Sequence, residues 1–302
     1  MRALLRDLIA DEPNPVVRGT ALRVLAVLNP EDADELVAPF SHDQPDEVRR
    51  GALVGMLLTG ETDVGRQAQA DVTALAGSPA ADDRLLAAQV IGDVGVLNLD
   101  ELLLTLSEDE ETDVQRAAVL AAGKSRRPEL WQHVIEALGR PKVAGAAATA
   151  LIAGGDSALP EIKLEFNAGA VHGDEQRVRL MRLAQVCGRI RGEQIVDLLK
   201  TKLNYPNVGV RTQIHHALSH CEYEASSGEV AKVDQQLRGE CAEIAWLLAV
   251  ELDVARQGGE DESGRLDLLT RALASAQGRG ATAHFLLALV SLRPTGRSAR
   301  TR

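Results

Sequence analysis

The sequence predicts an all-α protein, a right-handed α-solenoid of αα-hairpins carrying an added C-terminal helical segment. Three observations lead there. The first is repetition. Arg18, Arg49, Arg84, Arg116, Arg179 and Arg211 each open a segment that overlays the others, as in Pro15-Val-Val-Arg-Gly-Thr-Ala-Leu22, Pro45-Asp-Glu-Val-Arg-Arg-Gly-Ala-Leu53 and Asp113-Val-Gln-Arg-Ala-Ala-Val-Leu120. These arginines lie about 31, 35, 32, 63 and 32 positions apart; the long gap is a double period whose middle copy, Lys142 to Leu151, has lost its arginine. A fixed period in this range is the mark of stacked repeats. The second observation is composition: 45% of residues are hydrophobic but only 2% aromatic, with Ala and Leu filling the apolar positions, which suits close-packed helices and not sheets. The third is that every period holds two helical patterns.

The first helix of each pair follows a turn rich in Asp and Pro. Its clearest case places Val210, Ile214, Ala217, Leu218 and Cys221 on one stripe of a 3.6-residue helix. The second helix is shorter, as over Leu130 to Leu138 and Ile195 to Leu203. Breaks fall at Asn29-Pro30, Gly77-Ser-Pro79, Arg140-Pro141 and Tyr205-Pro206, where Pro interrupts no hydrogen bond that a helix needs. Residues 1–225 are thus expected to form about six to seven hairpins. Leu4, Leu5, Leu8 and Ile9 look like the second helix of a pair whose first is missing, which leads us to expect a chain that continues upstream. Beyond Tyr223 the pattern changes. Val230, Val233, Leu237, Cys241, Ala245, Leu248 and Leu252 mark one long helix over residues 228–256, followed by an acidic glycine-rich loop and shorter helices near 264–276 and 279–292. The 226–292 segment is expected to cap the stack, and residues 293–302 to be a disordered basic tail.

Charge narrows the functional classes. Thirty-three basic against forty-four acidic residues give a net charge of −11, the wrong sign for a phosphate-neutralising surface, and seven aromatic side chains are few for base stacking. Nucleic acid is not an expected partner. No stretch approaches the length of a membrane span, and the first ten residues lack the form of a signal peptide. Cys187, Cys221 and Cys241 are widely spaced and fall at or near apolar positions, so they read as buried free thiols of a cytoplasmic protein.

The recurring Asp/Pro-x-Val-Arg-x-x-Ala-Leu followed by a second helix resembles the HEAT repeat in its short bacterial form, over residues 10–225. Within residues 173–292, the order of Tyr205-Pro-Asn-Val-Gly-Val-Arg-Thr-Gln-Ile214, Glu240-Cys-Ala-Glu-Ile-Ala-Trp-Leu-Leu248, Leu268 to Leu273 and Phe285 to Leu289 is similar to the soluble HEAT region attached to bacterial ADP/ATP-translocase-like transporters of the major facilitator type. Those resemblances imply a non-catalytic scaffold or regulatory module that presents a curved helical surface to another protein. They imply as an alternative the cytosolic regulatory segment of a nucleotide-transporter-like membrane protein, without spans of its own. A second alternative is a HEAT-like lyase acting on a protein-bound chromophore.

Catalytic patterns are missing from the sequence. Ala121-Ala-Gly-Lys-Ser125 has the end of a phosphate loop, but Ala118 stands where its first glycine belongs, so Gly123 is expected to terminate a helix. His216 and His220 could clamp a metal from one helical face, yet no further Cys or His completes a set, so no metal or cofactor is expected. The recurring arginines are expected to reach an acid or a carbonyl of the neighbouring repeat and to run as a ladder along the stack. As protein-binding residues we single out the polar positions Arg179 and Arg182 and the imidazoles of His215, His216 and His220, expected to be exposed.

Overall fold

The computed structural model describes residues 2–42, 44–95, 99–168, 173–221 and 223, with separate positions between 228 and 249. Every regular element among them is helical. The chain packs as two compact units, Met1–Glu161 and Ile162–Arg302.

In the first unit the helices are α1 (Arg2–Asp11), α2 (Pro15–Leu28), a short α3 (Ala33–Leu36) between two 3₁₀ turns, α4 (Asp46–Leu57) and α5 (Asp63–Ala76). They continue with α6 (Ala81–Val94), α7 (Asp100–Ser107), α8 (Thr112–Ser125), α9 (Pro128–Ala137) and α10 (Ala144–Gly154). Sequence chemistry sets their starts. The Asn14 side chain accepts from the Val16 N–H and Thr62 Oγ1 from the Gly65 N–H, each satisfying a donor with no intrahelical acceptor. Pro15 and Pro128 occupy the first helical turn, and acids open α4, α6 and α7, where the helix dipole favours them.

Consecutive helices pack in pairs, α4 on α5, α6 on α7 and α8 on α9, while α2, α4, α6, α8 and α10 also pack on one another in that order. Small residues allow this second set of contacts. A Cβ on Gly51 of α4 would lie 2.1 Å from the Gly19 carbonyl oxygen of α2, so the two backbones touch. The same approach recurs where Gly92 meets Ala121 and where Gly123 meets Ala150. Gly123 therefore does not terminate its helix, as the sequence led us to expect. It is buried within α8, whose end is capped by Arg126 at φ 53°, and serves the contact with α10. The core between the helices holds Leu22, Leu25, Leu53, Met56, Leu86 and Trp131, all buried.

After α11 (Leu159–Asn167), the second unit contains α12 (Gly173–Ile190), α13 (Glu193–Thr201) and α14 (Val208–His220). Helices α12 and α14 pack together, with Gly188 against Ala217, and α13 lies beside both. Leu180, Leu183, Cys187, Ile195, Leu199, Val210 and Ile214 are buried here, and Phe166 meets Tyr205 edge to face at 6.3 Å. The apolar stripe of α14 holds as read except at Cys221, which is the half-buried residue capping the helix. The described positions from Gly228 to Ala249 are helical, as expected for the start of the long helix. Cys241, the acidic loop, the two shorter helices and the basic tail lie outside the described residues.

Candidate interaction surface

The repeated arginines turn toward their own protein. Arg49 of α4 donates to Asp83 in the first turn of α6 at 3.3 Å and to Asp46 at 3.2 Å. Arg84 of α6 holds Asp109, just before α8, through both carboxylate oxygens at 2.6 and 2.9 Å, and its third nitrogen reaches the carbonyls of Ser78 and Pro79. Arg116 of α8 donates to the Lys142 carbonyl at 2.9 Å, across to the repeat that lacks an arginine. Three consecutive links thus run forward from one hairpin to the next. Arg18 instead points back to the Ile9 carbonyl at 3.1 Å, and Arg179 back to Glu165 at 2.8 Å. Arg211 donates to the Tyr205 carbonyl, in the turn before α14, at 2.8 Å. A fixed planar fork suits this task, since it spans a carboxylate and a carbonyl together. The Arg84 guanidinium holds the Asp109 carboxyl below its ordinary range, mainly through the hydrogen bond between them.

A second polar row was not foreseen. Asp93 of α6 accepts from Arg50 of α4 at 2.7 Å and from Lys124 of α8 at 3.2 Å, and Arg50 also reaches Gln89. The sequence signal was available: Arg50, Asp93 and Lys124 stand on the three successive first helices, with alternating charge. Lys124 and Ser125, which look like the end of a phosphate loop, are spent on Asp93 and on the Ala122 carbonyl.

The residues singled out for binding divide into two sets. Arg179 is committed to Glu165, with its side chain 19% exposed. His215 contradicts the expectation of an exposed imidazole. It is 1% exposed, its Nε2 lies 3.1 Å from the Leu203 carbonyl, and burial depresses its pKa to about 4. The physical reason is register: α14 turns His215 inward among Val210, Ile214 and Leu218. His216 and His220, by contrast, are exposed one turn apart on α14. Burial, and then the neighbouring His220, pull the His216 pKa below its usual value. On α12, Arg182 is half-buried and Gln185 and Arg189 are exposed. The Gln185 amide donates to Gln213 of α14 at 3.0 Å, and Gly209 sits against Met181. Arg182, Gln185, Arg189, Gln213, His216 and His220 thus make a ridge over two packed helices, and none of the six is acidic.

Of the thiols, Cys187 is fully buried and pushed up to about 12 by desolvation. Cys221 is half-buried and not in the core, with burial raising its pKa as well. Such thiols are poor nucleophiles. Among the described residues no group of three His, Cys, Asp or Glu side chains is placed to hold a metal ion, and no helix is long and apolar enough to cross a membrane. The sequence matches no protein-family model, and no curated protein matches it.

Proposed function

We propose that the protein is a non-catalytic interaction module, a right-handed α-solenoid of the HEAT type that binds another protein of the cytoplasm through the α12–α14 ridge. The reading is carried by one observation: Gln185, Arg189, His216 and His220 are exposed and Arg182 and Gln213 half-buried on two adjacent helices, while Arg18, Arg49, Arg84, Arg116 and Arg179 are turned onto other hairpins. Helices fixed by ladders and close backbone contacts offer a preformed surface, so binding costs little ordering of the backbone. A partner surface rich in carboxylates or carbonyl groups suits a ridge whose side chains are guanidinium, amide and imidazole groups.

A photoreactive amino acid placed at position 216 or 220 in the native host tests this, with position 197, on the exposed side of α13, as the control. One discrete covalent partner at 216 and 220, and not at 197, is the expected result. Capture no different from position 197 would refute the reading.

A further inference from the structure

We infer that a cavity in the first unit, between α4, α5 and the turn ahead of α4, binds a small organic cation: a primary amine that carries a neutral carbonyl oxygen. The site is distinct from the ridge and does not rest on it.

An irregular hairpin opens the space. Helix α3 spans 4 residues where α5, α7 and α9 span 14, 8 and 10, so the segment ahead of α4 leaves the last turns of α5 uncovered beside Arg49. A cavity of about 390 Å³ results, within the range of small-molecule sites. Leu53 of α4 with Ala74 and Leu75 of α5 supply its apolar lining, and Arg49, Asp71 and His42 its polar lining.

Two polar atoms of these lining residues are buried and unpaired, and they are of opposite kind. Asp71 Oδ1 accepts from Gln67 at 2.9 Å, but Oδ2 has no donor; His42, whose Nε2 lies 3.9 Å away, is the only described basic group in ion-pair range. Arg49 spends its two terminal nitrogens on Asp46 and Asp83 and leaves its Nε–H without an acceptor. By contrast, Arg18, Arg84, Arg116 and Arg179 each donate Nε–H to an oxygen outside their own helix. A buried donor or acceptor is costly to leave unmade, and here one of each lines a single cavity.

Chemistry selects the occupant. Asp83 is already satisfied by Arg49 and by the Ser78 hydroxyl at 2.9 Å, so Asp71 is the carboxylate that still lacks a donor, and a cationic donor suits it best. A metal ion does not fit, since no three His, Cys, Asp or Glu side chains among the described residues are placed to hold one. An ammonium group meets Oδ2 with one of its N–H bonds. Arg49 Nε requires an acceptor, but Asp46 and Asp83 already flank that guanidinium, and a further carboxylate would be repelled by them. A neutral carbonyl oxygen accepts the same bond without that repulsion. The carbon skeleton that joins the two groups then leaves water against Leu53, Ala74 and Leu75.

Leucinamide holds all three features, and calorimetric titration of the full chain with it is the test. A dissociation constant on the order of 1 mM is expected. Isocaproamide, which lacks the ammonium, should give no heat of binding, and isoamylamine, which lacks the carboxamide, should bind about tenfold more weakly. Asp71→Asn should weaken leucinamide about tenfold or more at an unchanged melting temperature. Ala74→Leu, at an exposed position of α5 in the cavity lining, should block binding by filling the space while both charged side chains stay. If one variant folds poorly, the other and the three titrations of the unaltered chain still decide. Absence of saturable leucinamide binding overturns the inference, as does equal binding of isocaproamide or isoamylamine, or undiminished binding to a folded variant.

Discussion

Four residues beyond the ladder arginine stand Leu22, Leu53, Ala88 and Leu183, all with no exposed surface, and Leu120, which is half-buried. His215 stands at the same offset from Arg211. It is therefore a histidine in an aliphatic position, kept neutral by burial, with its ring nitrogen on the Leu203 carbonyl. Its folded pKa of about 4 lies below the unfolded value near 6.5, so the unfolded chain binds the extra proton between those limits. Stability is complete above about pH 6.5 and falls as the pH drops toward about 4, by on the order of 3 kcal/mol. His215→Leu should remove that slope, which denaturant titrations at intervals across the window will show. The Arg84–Asp109 pair has its own acid dependence. Asp109 is depressed when folded, so its contribution is present above the unfolded carboxylate value of about 3.9 and is lost as the pH falls through the folded one. Asp109→Asn should melt a few degrees lower than the parent at pH 7, with the gap closing in strong acid.

Helix-to-helix approach is governed by where a Cβ has room. Gly51→Ala improves helix propensity by about 1 kcal/mol, but its methyl group would sit 2.1 Å from the Gly19 oxygen and force α2 from α4. Overpacking wins, and a net loss on the order of 3 kcal/mol is expected in urea unfolding. Gly145→Ala is the opposite case: it is exposed in α10 with nothing within 4 Å, and should stabilise by about 0.5–1 kcal/mol. These contacts explain what could be read in the sequence. The helical segments and their breaks were legible because apolar spacing and the Asp and Pro of the turns act within a few residues. The arginine ladder was legible because the same residue recurs at one place in each repeat. Gly123 and His215 were not read correctly, since each was judged by its local motif and not by its register in the repeat. The Arg50–Asp93–Lys124 row escaped because its members are 43 and 31 positions apart and only stacking brings them together.

For the whole molecule, polar groups do two different jobs. Arg49, Arg84 and Arg116 join hairpins of the first unit, and their removal should lower stability without touching a partner. His216 and His220 lie exposed on the ridge of the second unit. Changing both to alanine should leave the melting temperature within about a degree, as is usual for surface positions, while weakening partner capture. The measurement that separates these jobs most directly is the yield of the covalent partner from a photoreactive residue at position 220, in Arg84→Lys and His216→Ala backgrounds side by side. A yield kept by Arg84→Lys and cut about tenfold by His216→Ala is the expected result. A yield abolished by Arg84→Lys in a chain that remains folded, and untouched by His216→Ala, would contradict the assignment of the ladder to structure and the ridge to binding.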